Sequence, residues 1–310
     1  VNFAHKRKEY NLEASINHIY ANRIFAHLAP IDSNTKDGME KFIRYVQLHP
    51  EIFLAFESAG CSLSGSNLRD LAGNIYIDNI EYQQDNKTFQ TDRLRVALLP
   101  QEDYQTIRFT SDILNATLTT NHKLKEIPNK IIDIAYTYCG NLLPERKSNG
   151  HVDEEPSEEG STHFLNLEAT AYELEPILNI FVPSIHVGEN AQIHIRTDER
   201  HTDDLISINL PTFSIKDKAF VNNFDFKGKQ NDAGKMVVDA TVGHILIGEK
   251  GNFAFDDITL KSTVGANHLD YELGWQNPAV ISDRRSKLGG LADFPSKGVI
   301  RTRVTESEVY

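Results

Sequence analysis

The sequence predicts an all-β, mostly antiparallel protein with a few short amphipathic helices. Three observations predict it. Apolar and polar residues alternate over most of the chain, as in Leu94, Val96 and Leu98 or Val238, Ala240 and Val242, so successive side chains point to opposite faces of a sheet. Turn signals separate the runs: Gly188-Glu189-Asn190, Lys229 to Gly234, Gly248 to Gly251 and Gly265 to Asn267. The strand runs recur at roughly ten-residue spacing, as in hairpins and meanders. Regular strand–helix alternation is absent, which argues against a parallel doubly wound sheet.

Taken in order, residues 10–16 read as a strand with Leu12, Ala14 and Ile16 on one face. Residues 37–57 have helix-like spacing through Met39, Phe42, Ile43, Val46 and Leu48, with Pro50 breaking or restarting the pattern. From Gly60 the texture is β. Ile75 and Ile77 alternate, then Ile80 and Tyr82, and the phase slip between them predicts a bulge or tight bend. Strands follow through Leu94–Leu98, stopped by Pro100, then Ile107–Phe109 and Leu114–Leu118. Residues 124–143 return to helical spacing through Ile127, Ile131, Ile134, Ala135 and Tyr138. The second half alternates throughout: Leu165–Ala169, Ile193–Ile195, Ile206–Leu210, Phe213–Ile215, Phe224–Phe226, Val238–Val242, Ile245–Ile247, Phe253–Phe255, Ile258–Leu260 and Leu269–Trp275.

The chain repeats itself. Asn166 to Thr170, Asn-Leu-Glu-Ala-Thr, echoes Asn-Leu-Glu-Ala-Ser at Asn11 to Ser15, 155 residues earlier. Each is followed by apolar residues at three- and four-residue spacing. Arg146 to Gly160 is Gly, Ser, Pro and acid, with carboxylates at Asp153, Glu154, Glu155, Glu158 and Glu159, so it reads as a linker or loop tip. The expected organisation is a first β repeat over 1–150, an acidic linker at 151–160 and a second β repeat over 161–310.

Composition narrows the function. The 310 residues are 40% apolar and 25% charged, ordinary for a globular chain. The net charge of −12 argues against nucleic acid and against a basic patch for anionic headgroups. It leaves contact with lipid tails open. Two cysteines, Cys61 and Cys139, are too few for a disulfide framework, and one bridge or two unpaired thiols both remain open. With no run of eighteen apolar residues and no secretion signal, the chain is not expected to span a membrane. It opens on Val1 rather than Met and is read as a fragment of something longer.

Catalytic chemistry is not expected. There is no Gly-x-Ser-x-Gly, P-loop or dinucleotide fingerprint. Gly60-Cys61-Ser62-Leu63-Ser64-Gly65 is glycine-rich but leads into β, not into a helix that could cradle phosphate. The acidic stretch cannot hold two carboxyls on a rigid floor, as a glycosidase requires. His201 with Asp203 and Asp204 is the best metal-like cluster, but lacks a second His at ligand spacing. Neither a metal nor a cofactor is expected.

Each strand therefore has one apolar face to hide. Roughly eight to ten such strands per repeat must pack on a second sheet, close into a barrel or curl over something else. Here a family resemblance enters. Ser111-Asp112 between strands, Leu71 to Ile77 (Leu-Ala-Gly-Asn-Ile-Tyr-Ile), the helix-like Leu124 to Leu143 and the opening at Asn166 to Phe181 resemble features of the TamB family. So does Asn267 to Asn277, an Asn leading into an alternating strand with Trp275. These are translocation and assembly module proteins of the AsmA-like group, here of the Bacteroidetes type. Asn121 stands where the family often has Gly.

The resemblance implies an elongated, curled, taco-like sheet with an apolar concave groove. It implies a periplasmic segment of an inner-membrane-anchored envelope protein. That groove would shield phospholipid acyl chains or outer-membrane protein segments, with an outer-membrane assembly partner bound outside this fragment. The groove-lining positions would be Ile75, Ile77, Val96, Phe109, Leu118, Leu167, Ile195, Ile208, Phe226, Val242, Phe255 and Leu273. The same positions would equally line a closed core. The alternative is a secreted β-sandwich or β-solenoid that binds glycan, which requires a cluster of exposed aromatics.

Overall fold

The computed structural model describes residues 2–4, 9–20, 23–24, 38–49, 51–66, 70–84, 87–122, 126–139, 163–182, 184–198, 200–216, 218–248, 253–265, 267–278, 284–296 and 299–310. It is 71% strand and 10% helix, and its registered strand pairs are antiparallel. In chain order the elements are β1 (Asn2–Ala4), β2 (Glu9–Tyr20), α1 (Gly38–Leu48), β3 (Phe53–Gly65), β4 (Ala72–Gln84), β5 (Lys87–Pro100), β6 (Gln105–Ser111), β7 (Leu114–Thr120), α2 (Ile127–Cys139), β8 (Phe164–Ala171), α3 (Glu175–Phe181), β9 (Ile185–Val187), β10 (Ala191–Asp198), β11 (Leu205–Ile215), β12 (Ala219–Gln230), β13 (Met236–Ile247), β14 (Phe253–Gly265), β15 (His268–Gln276), β16 (Ser286–Ser296) and β17 (Val299–Glu308). Two compact units form: residues 1–117 with 171–186, and residues 118–170 with 187–310. The acidic stretch 151–160 lies outside the described residues.

In the first unit β2 to β6 run as a meander, each strand antiparallel to the next. The helix expected over 37–57 stops at Leu48 and β3 starts at Phe53. Pro50 explains the stop, because it disfavours helical backbone in the residue before it and has no N–H to continue the ladder.

The phase slip in β4 is real. Asn79 sits mid-strand with φ 50°, and it interrupts pairing on both sides, between Ser58↔Asp78 and Phe56↔Ile80 and between Asp78↔Arg93 and Ile80↔Thr91. A left-handed residue inside a strand turns the pleat, so the apolar phase moves by one. The shift runs across neighbouring strands: Leu54 and Phe56 give way to Ala59 and Cys61, and Phe89 and Thr91 to Leu94 and Val96. The second unit has the same device. Asn223 has φ 52° and Asp257 φ 48°, and Val238, Ala240 and Val242 give way to Ile245 and Ile247 between them. Asn and Asp suit these positions because their short polar side chains tolerate left-handed backbone.

In the second unit β10 to β17 pair in sequence, and β8 lies beside β10. Its core lies between α2 and this floor. Ile134 and Tyr138 of the helix pack with Leu165, Ile195, Met236, Val238 and Val264. Strands β16 and β17 are additions that sequence reading missed. Ser286–Ser296 holds two glycines and a proline, a composition poor in β formers. Gly290 is needed where it stands, since a Cβ there would fall 2.6 Å from the Tyr271 hydroxyl on the paired strand.

Candidate functional site

The first unit places Ile75, Ile77, Val96 and Phe109 on one face of its meander. Cys61, Ile75, Val96 and Phe109 stand directly opposite one another across β3 to β6, and Ala14 of β2 extends the row. A parallel row carries Ile16, Ala59, Ile77 and Leu94, and another Leu12, Leu63, Gly73, Leu98 and Ile107. Five strands at about 4.8 Å and three rows at about 6.8 Å make an apolar surface of about 19 by 14 Å. Every apolar side chain of these rows on β3 to β6 is only half-buried, and Ile16 at the β2 side is 54% exposed. A closed sandwich core would bring such positions to near-complete burial.

The opposite face is polar and locked. Arg95 pairs with Asp78 and lies over the Tyr76 ring at 5.2 Å, while the Ser58 hydroxyl donates to Asp78 at 2.8 Å. The Arg95 guanidinium, and secondarily Ser58, hold the Asp78 carboxyl below its usual range. Gly60 makes room for the Tyr76 ring, since a Cβ there would fall 2.5 Å from it. The glycine-rich run 60–65 is thus the end of a strand. Gly60, Ser62 and Ser64 lie on the face of Tyr76, opposite Tyr76, Asn74 and Ala72, while Cys61 and Leu63 join the apolar rows. Sequence reading left Cys61, Ala59 and Leu63 off the face because small residues mask the alternation. Cys61 is a free thiol.

Asp112, from the Ser-Asp pair, closes the end of this face. Its carboxylate accepts the Thr91 hydroxyl and the backbone N–H groups of Asp92 (3.1 Å) and Arg93 (3.4 Å). Partial burial pushes its carboxyl up, but these hydrogen bonds outweigh burial and leave it below the usual range. Those amides sit where the β4–β5 ladder is interrupted, so Asp112 satisfies donors that the crease would otherwise orphan.

The second unit treats its apolar face differently. Ile195 is in the core beneath α2, and Leu118, Leu167 and Phe226 pack against it. Ile208 stands opposite Phe226, Val242 lies between Phe224 and Ile258, and Leu273 faces Leu260. Phe255 lies beyond the crease, opposite Ile245. Ile208, Val242, Phe255 and Leu273 are half-buried.

Of His201, Asp203 and Asp204, the first and last meet, while Asp203 turns to another partner. Asp203 pairs with Arg196 at 2.7 Å. Asp204 is fully buried and accepts the Tyr138 hydroxyl (2.9 Å), the Thr197 hydroxyl (2.6 Å) and His201 Nδ1 (2.7 Å). Burial first, then the nearby carboxylate, push the Tyr138 phenol far above its usual range. This arrangement fastens a helix to a sheet. Among the described residues no group of three or more His, Cys, Asp or Glu is placed to hold a metal ion. Among them too, no helix is long and apolar enough to cross a membrane.

The fold and this face define an all-β protein with one apolar sheet surface in contact with solvent and another under a helix. No family model, no curated protein and no solved structure matches the chain.

Proposed function

We propose that this chain is the periplasmic part of a TamB-like envelope protein, and that its apolar strand face shields phospholipid acyl chains between the two membranes. Segments of outer-membrane proteins are clients of the same chemistry. The observation that carries the reading is the face of Ile75, Ile77, Val96 and Phe109, broad, apolar and half-exposed. It is about as long as an extended acyl chain. A sixteen-carbon chain contributes on the order of 13 kcal/mol of gross burial at about 0.8 kcal/mol per CH₂, offset in large part by association and ordering. Greasy contact of this kind needs no headgroup cation, which agrees with the net charge of −12.

The test is photo-crosslinking with a phospholipid that carries a diazirine in its acyl chain, followed by peptide mapping. A Cys139→Ser protein leaves Cys61 as the single thiol of the chain. Crosslinks are expected on β3 to β6, and alkylating Cys61 with a bulky maleimide should abolish them. Labelling that ignores the Cys61 block, or falls on no strand, would overturn the reading.

A further inference from the structure

We infer that β17 is a homodimerisation edge: a second copy of this chain adds its own β17 to it, antiparallel, about a two-fold axis between Val304 and Thr305. Such pairing is independent of what the apolar faces bind.

The strand has the exposure of an edge. Among the described residues its registered neighbour is β16, and all ten of its residues are exposed. By contrast β11, held between β10 and β12, is half-buried at every position. A ladder on one side only leaves alternate N–H and C=O groups of β17 for another strand to take up.

A bulge gathers the charges of this strand on one face. Gly289 stands opposite Glu306 and Gly290 opposite Val304, so Thr305 is one residue extra. Strict alternation would put Arg301 and Arg303 on one face and Glu306 and Glu308 on the other. The extra residue returns all four to a single face, where they stand opposite Asp293, Leu291, Gly289 and Lys287 of β16. That face is basic at one end and acidic at the other. The inner two, Arg303 and Glu306, meet no charge on β16, and Asp293 is engaged by His268 at 2.7 Å. Among the described residues none of the four has an ion pair or a side-chain hydrogen bond of its own.

Such a row is its own complement when reversed. Placed antiparallel, Arg301 of each copy meets Glu308 of the other, and Arg303 meets Glu306. On the other face Thr302 meets Ser307, and Ile300, 58% exposed, meets Val309, 72% exposed. A ladder over 301–308 adds about eight backbone hydrogen bonds. Charges on an edge ordinarily guard it against pairing, and a row of one sign would do so. With the signs divided between the two halves, a parallel copy is repelled and an antiparallel copy attracted.

The experiment is sedimentation equilibrium on three proteins: the wild-type chain, Arg301→Glu with Arg303→Glu, and Glu306→Arg with Glu308→Arg. All four positions are exposed, and circular dichroism verifies that both variants keep the wild-type fold. The wild type should be a dimer. Each variant carries one sign along the whole row and should self-associate on the order of a hundredfold more weakly. An equimolar mixture of the two variants should recover a one-to-one dimer of wild-type affinity. A monomeric wild type overturns the inference, whether its β17 is bare or covered by another segment of the polypeptide. Variants that dimerise as tightly as the wild type overturn it too, because the contact then lies elsewhere. So does a mixture that stays monomeric, and so does an open-ended series of larger assemblies, which requires two different edges.

Discussion

The phenolic oxygen of Tyr138 stands 2.9 Å from a carboxylate oxygen of Asp204, and both side chains are closed off from solvent. Asp204 is shared among donors, so its loss should exceed the loss of any one of them. Asp204→Ala leaves the Tyr138 hydroxyl without its acceptor, at about 1–3 kcal/mol for a buried orphan, and takes the 2.6 Å bond from the Thr197 hydroxyl, which keeps only the Asp198 carbonyl at 3.4 Å. Tyr138→Phe removes one bond and leaves Thr197 and His201 on the carboxylate, costing about 1–2 kcal/mol. Urea unfolding should rank them in that order, and equal values would mean that Asp204 holds Tyr138 alone.

The two apolar faces should respond differently to a charge. Val96→Asp puts a carboxylate on a half-exposed face, where water still reaches it, and should cost about 1–2 kcal/mol. Val238→Asp places the same group in the core under α2 and should cost about 4 kcal/mol or more. Thermal melts of the two variants check this, and a Val96→Asp protein as unstable as Val238→Asp would show the first face to be closed.

Acid should weaken the crease through Asp112. Its folded carboxyl lies below its ordinary value, so its stabilisation is present above an unfolded pKa of about 3.9 and is lost as pH falls through the lower folded value. Asp112→Ala should cost about 1–3 kcal/mol near neutral pH, and the gap to wild type should narrow below about pH 4. Denaturant titrations at neutral pH and at about pH 3 read the difference.

His268 should act in the opposite sense. It lies 2.7 Å from Asp293 across the strand pair and 3.0 Å from Asp270 on its own strand. Asp293 first, then Asp270, raise its pKa above 6.5. The stabilisation is full below 6.5 and fades as pH rises through the raised value. The ring is exposed enough for solvent to screen the pair, so the effect on stability is small. An NMR titration of His268 should place its midpoint above that of the Asp293→Asn variant, and identical midpoints would remove Asp293 as the cause.

Glycine should matter at Gly73 and not at Gly289. Gly73 has φ 137°, and a Cβ there would collide with the Ser62 carbonyl. Gly73→Ala should cost about 1–3 kcal/mol. A Cβ at Gly289 finds its nearest neighbour at 3.7 Å, and Gly289→Ala should lie within about 0.5 kcal/mol of wild type. Paired melting curves suffice.

Much of the strand order was legible because it is written locally. Alternation placed Ile75 and Ile77, Val96, and Phe224 and Phe226 on the strands where they stand. The one-residue slip before Ile80 marked the left-handed Asn79. Pro50 marked a break or restart within 37–57, and α1 ends before it, at Leu48. What stayed hidden was of two kinds. Ser286–Ser296 forms a strand against its own composition because β15 offers it a ladder, and Gly290 accepts the Tyr271 ring. Residues 171–186 return to the first unit, and sequence order carries no trace of that return.

The sequence by itself determined that this is antiparallel sheet, which residues share a face, and that the face is apolar. Period-two alternation dictates these, because it acts between residues two apart and between directly paired strands. Only the tertiary structure decided what lies on each face. Val96 and Val238 have the same alternating signature, yet one is half-exposed and the other is buried under α2. It also turned Asp204 from a metal-like ligand into the fastening for a helix that begins 77 residues before it in the chain. Alternation says which way a side chain points, whereas burial depends on which distant segment packs against it, and local pattern holds no information about that.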